Sequence, residues 1–74
     1  MVYNFTAEII HDNEIGQFIG MVPGLPGAHT QAATLDELYN NLQDVIRLCL
    51  LEMTEKEKAE LPKFIGTQNI SVAV

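Results

Sequence analysis

A chain of 74 residues accommodates one domain, near the smallest size at which a hydrophobic core suffices without staples. Its lone cysteine, Cys49, excludes an internal disulfide, and no CxxC or Cys/His cluster offers a structural metal; a reduced, cytoplasmic protein is expected. Four Lys+Arg against ten Asp+Glu, a formal charge of −6, argue against direct nucleic-acid binding by this chain alone, because phosphate backbones are gripped by clustered cations.

Residues 2–10 alternate, with Tyr3, Phe5, Ala7 and Ile9 on one side and Asn4, Thr6 and Glu8 on the other, the pattern of a half-buried strand. The polar run His11-Asp12-Asn13-Glu14 turns the chain, and residues 15–22 are the return strand of a hairpin. Here Phe18, Gly20 and Val22 share one face, yet Ile19 and Met21 make the opposite face apolar as well. Both faces therefore need cover, from a second layer or from another chain. Gly20 marks a bulge or a close backbone approach.

Pro23-Gly24-Leu25-Pro26-Gly27 reads as a rigid turn, and residues 28–32 as a short, edge-like third strand. The uncharged run from Ile15 to Leu35 is broken by Gly16, Gln17, Pro23, Pro26, His29 and Gln31, so it predicts no membrane-spanning helix. The N-terminus lacks the basic and apolar regions of a signal peptide. Thr34 and Glu37 then stand in the S/T-x-x-E spacing that opens a helix. From Leu35 the period is helical: Leu38, Tyr39, Leu42, Val45, Ile46, Cys49, Leu50 and Met53 share a broad apolar face. Leu48 and Leu51 interrupt the polar face, and as neighbours on the helix surface they mark a contact site. Thr54 and Glu57 repeat the capping spacing for a short helical turn that Pro62 ends. Residues 65–74 close the chain with a predicted strand in which Ile70, Val72 and Val74 alternate with Ser71 and Ala73. The expected architecture is α+β: one β-β-β-α-β domain over residues 1–74, an antiparallel-type sheet with one main helix on one face.

Catalytic chemistry finds little support. His11 and His29 lack further ligands at metal-binding spacing, and no partner makes either a general base. Cys49 sits on the apolar helical face, where a cysteine is a small hydrophobe. Asp36 and Glu37 belong in the first helical turn, favoured by the macrodipole. The glycines of the PGLPG turn match neither a P-loop nor GxGxxG, and no nucleophile elbow occurs. Glu8, with Asp12 and Glu14 nearby, is the carboxylate set from which a metal-dependent nuclease would be built, but turn acids of this kind ordinarily face water. The expectation is a protein that is not an enzyme, with no catalytic residues, metal or cofactor.

The order strand–PGLPG–strand–TLDEL, spanning Phe18-Ile19-Gly20-Met21-Val22, the turn, Thr30-Gln31 and Thr34-Leu35-Asp36-Glu37-Leu38, resembles the HicB-like antitoxin family over residues 5–51. Gly24, Ala28 and Ala32-Ala33 depart from that family's usual residues. The resemblance implies a partial RNase H-like domain that binds a small RNA-cleaving toxin and blocks its active site. The C-terminal DNA-binding domain of many family members has no counterpart by Val74.

Two functions follow as expectations. The first is an antitoxin-like inhibitor occluding a small basic RNase toxin. The second is a stand-alone oligomeric binding module for a small molecule or another protein. Either way one helix cannot cover both sheet faces, so a homo-oligomer using the open face or a strand edge is expected. Ile19, Met21, Leu48 and Leu51 are the predicted partner-binding residues.

Overall fold

The computed structural model describes residues 2–74. Its elements run β1 (Glu8–Asp12), β2 (Gln17–Met21), β3 (His29–Ala32), α1 (Leu35–Glu52) and α2 (Glu55–Ala59). The strands form one antiparallel sheet in the order β1-β2-β3, and α1 packs over β3 and β2. The class is α+β, as the pattern of alternation followed by helical period implies.

The first hairpin closes over residues 13–16. The Asp12 carbonyl accepts from the Gly16 N–H at 2.9 Å and its carboxylate accepts from the Glu14 N–H at 2.9 Å, an Asx turn. Gly16 supplies the left-handed residue, φ +65°. His11 and Asp12 thus belong to the strand rather than to the turn. Residues 2–7, predicted as strand, carry no ladder. Their partner would have to lie beyond Met21, where Glu8 already pairs, but there the chain turns away at Pro23, which has no N–H to donate.

Residues 22–28 are two type II turns in tandem. Leu25 N–H donates to Val22 O at 3.3 Å and Ala28 N–H to Leu25 O at 3.1 Å. Each turn has proline second and a left-handed glycine third, Gly24 at φ +81° and Gly27 at φ +82°, the residues that this turn type demands. Val22 N–H donates to Ala28 O at 2.9 Å across the base. The shared residue, Leu25, is driven inward and buried with Val22 and Ala28.

Thr34 caps α1, its Oγ1 accepting from the Glu37 N–H at 3.2 Å. Leu38 and Leu42 are the buried residues of α1 and meet Ala32 of β3. The close approach at Gly20 is theirs: a Cβ there would lie 2.9 Å from Leu42 Cδ1. Val45, Ile46, Cys49 and Met53 pack on the Leu25 cluster. Thr54 and Glu57 form a full capping box on α2, with Thr54 N–H donating to Glu57 Oε1 at 2.9 Å.

The predicted last strand is not formed. Residues 65–74 pair with nothing and are exposed throughout, Ile70 and Val72 by about three-quarters. Alternation gives a segment two faces, but a strand also needs an edge to bond, and the tail leaves the body without meeting one. The radius of gyration, 14.2 Å, exceeds the roughly 11 Å expected of a compact chain of this length.

Candidate functional site

Because Gly20 faces α1, the pleat points Phe18 and Val22 toward the helix and sends Ile19 and Met21 to the other side. The register sets Ile19 between Ile10 and Gln31, and Met21 between Glu8 and His29. Ile10, Ile19 and Met21 thereby form an apolar strip on the uncovered face, with Ile10 and Met21 well exposed. Ile10 was missing from the sequence-predicted residues. Its signal was faint: it falls on the polar side of the first strand, and only the hairpin register places it against Ile19.

The strip has an acidic margin. Glu8 and Asp12 lie on the same face of β1 as Ile10, and Glu14 follows in the adjoining turn. All four cations, Arg47, Lys56, Lys58 and Lys63, fall after residue 46, whereas Glu8, Asp12, Glu14, Asp36, Glu37 and Asp44 precede it. The net charge of −6 is therefore carried entirely by the residues up to 46, and every sheet residue belongs to that part.

Leu48 and Leu51 do not join this strip. Both are exposed, on the side of α1 turned away from Leu38 and Leu42 and hence from the sheet. They form a separate apolar spot beside the exposed Arg47–Asp44 ion pair, 3.3 Å across.

A third surface was not legible in advance. Since α1 covers β2 and β3, the helix-side face of residues 2–9 is left open, and a groove runs between it and α1. Val2, Tyr3, Ile9, Leu35, Tyr39 and Leu50 line it, and Arg47 is the one charged side chain among the lining residues. Its volume is about 900 Å³.

The remaining candidates have structural surroundings. The His11 ring packs edge-on against Phe18, centroids 4.6 Å apart, and its Nδ1 lies 2.7 Å from Asn13 Oδ1. His29 is exposed at the edge of the sheet. Cys49 Sγ donates to the Pro26 carbonyl at 3.6 Å, tying α1 to the tandem turn. Glu8 and Asp12 stand four residues apart on one strand, about 13 Å. Among the described residues no three His, Cys, Asp or Glu side chains lie together in a way that could hold a metal ion. Nor, among them, is any helix long and apolar enough to cross a membrane.

Fold and surfaces define a small α+β protein whose distinguishing features are exposed apolar faces. The chain is 40% identical over 68 residues to a UPF0150 protein of Thermotoga maritima, covering 92% of this chain and 88% of that one. It is 41% identical over 66 residues to a UPF0150 protein of Archaeoglobus fulgidus, covering 89% and 91% respectively. A UPF0150 protein of Synechocystis is 41% identical over 64 residues, covering 86% of this chain and 88% of its own length. The chain belongs to the UPF0150 family. No family model matches it, and no solved structure matches it.

Proposed function

We propose that this protein is an antitoxin-like inhibitor in the manner of the HicB family, binding a small basic RNase and covering its active site without chemistry of its own. The observation that carries the reading is the open sheet face. Ile10, Ile19 and Met21 make an apolar centre, Glu8 and Asp12 border it, and no Lys or Arg precedes residue 47. An apolar centre with a polar rim is the usual anatomy of a protein interface, and one-signed charge selects a partner of opposite sign. A cation-rich RNA-binding protein meets both conditions, and the cytoplasm is where such a partner would be restrained. The same charge works against self-association through this face, since a second copy would bring like charges together.

The test is to search beside this chain's reading frame for one encoding a short basic protein and to co-express the two. A stable complex and rescue of growth are expected, with both lost in Ile19→Asp/Met21→Asp. Failure to form a complex would favour the rival reading of a stand-alone binding module. That rival draws on the groove beside α1, whose volume of about 900 Å³ falls in the range of small-molecule sites, roughly 300–1,000 Å³.

A further inference from the structure

We infer that the groove between residues 2–9 and α1 is filled by the C-terminal segment of a second copy, so that two chains exchange their last strands reciprocally. The groove and the tail are complementary deficits of one molecule. Among the described residues β1 is hydrogen-bonded on one side only, to β2, and its Ile9 lines the groove. An unpaired edge beside apolar surface is a template for an added strand. The chain also contains the element suited to it: Ile70, Val72 and Val74 alternate with Ser71 and Ala73, and all three large side chains are exposed. In strand form those three present a single face, which matches a trough bordered by Ile9, Leu35, Tyr39 and Leu50.

Charge favours the same occupant. Residues 64–74 bear no charged side chain, and Arg47 is the sole ionic side chain lining the groove. Two chains of charge −6 can therefore associate here without setting acid against acid, which the open sheet face does not permit.

The tail is anchored at its root. Pro62 is held against Gly24, where an added Cβ would lie 2.9 Å from its Cγ, and Phe64 rests beside Tyr3 and Phe5. Beyond that anchor the ten residues 65–74 extend from the body, long enough to span about 33 Å. A tail fixed at its root and projecting outward is placed to reach a neighbour, and reciprocal exchange by two copies closes the assembly as a symmetric dimer.

This inference does not depend on the toxin reading, because it concerns the protein alone. Sedimentation of the full chain at about tens of micromolar, where a modest interface associates, is expected to give a dimer. Ile70→Asp/Val72→Asp, at positions about three-quarters exposed in the single chain, is expected to give a monomer of unchanged helical content. In a dimer assembled from differently labelled copies, isotope-filtered NOEs are expected between the Ile70 and Val72 methyls of one copy and the Tyr39 ring of the other. A monomeric wild type, a dimer that survives the double substitution, or NOEs confined to single copies would each overturn the exchange. The last result would instead show the tail folding onto its own groove.

Discussion

Gly24 and Gly27 occupy matching places in the tandem turn, and their surroundings separate two effects of an added methyl. Both have φ near +80°, where an L-residue is strained by about 1–2 kcal/mol. At Gly27 the nearest atom to a new Cβ is Cys49 Sγ at 3.9 Å, an ordinary contact. At Gly24 it is Pro62 Cγ at 2.9 Å, part of a ring that cannot swing aside. Gly27→Ala should therefore show the strain alone, and Gly24→Ala the strain together with displacement of Pro62. We expect chemical denaturation to place Gly24→Ala lower in stability by a further ~1–3 kcal/mol, the usual range for overpacking. Equal losses in the two variants would mean that the turn and the segment after α2 are not pressed together. The motif announced this turn in the sequence. Its division into two turns with Leu25 buried between them was not legible, because that depends on three hydrogen bonds whose partners lie three and six residues apart.

Elements with strong local signals were the readable ones. α1 begins at the capping position that Thr34 marks, and Leu38, Leu42, Val45, Ile46, Cys49 and Met53 of its apolar face pack inward, because period and cap are both written locally, while Leu35 and Tyr39 of that face stay exposed. α2 is likewise declared by Thr54 and Glu57, and it gives a pH-dependent prediction. The Thr54 backbone N–H, and then its side chain, hold the Glu57 carboxyl below its ordinary 4.5. A carboxyl with a depressed folded pKa contributes stability above its unfolded value and loses it as pH falls through the folded value. Amide and Cα shifts of residues 55–59 should therefore report loosening of α2 as pH is lowered below about 4.5. In Glu57→Gln the α2 shifts should no longer respond to that titration. Strands were less legible than helices, since each depends on a neighbour that its own residues do not name. The first strand shifts toward its C-terminal end because its partner runs out at Met21. The predicted fourth strand finds no partner in the single chain.

The assembled molecule separates surfaces that the sequence left side by side as candidates. Ile19 and Met21 gather Ile10 and an acidic border on one side. Leu48 and Leu51 lie on the far side of α1, and the groove lies between helix and sheet edge. That separation arises from register and helix placement, which residue types alone do not encode. It also bears on catalysis. A nuclease built on this sheet would need Glu8 and its neighbours to share a divalent cation, yet Glu8 and Asp12 are spaced about 13 Å along one strand. We expect the isolated protein to cleave neither RNA nor DNA with Mg²⁺ or Mn²⁺ and to gain no thermal stability from either ion. Metal-dependent cleavage that disappears in Glu8→Gln would overturn the inhibitor reading.

The confinement of every Lys and Arg to residues 47–63 also determines which reagents can reach the molecule. A protease specific for basic residues has no cleavage site from residue 2 to residue 46, so digestion leaves the whole sheet and the first two-thirds of α1 within one fragment even after unfolding. Lysine-directed labels behave the same way, finding Lys56, Lys58 and Lys63 around α2 and the root of the tail and no lysine in the sheet. The sheet face must be footprinted through its carboxylates. Lys63, one residue before Phe64, becomes the natural reporter for the tail, its labelling slowing where exchange buries the segment that follows.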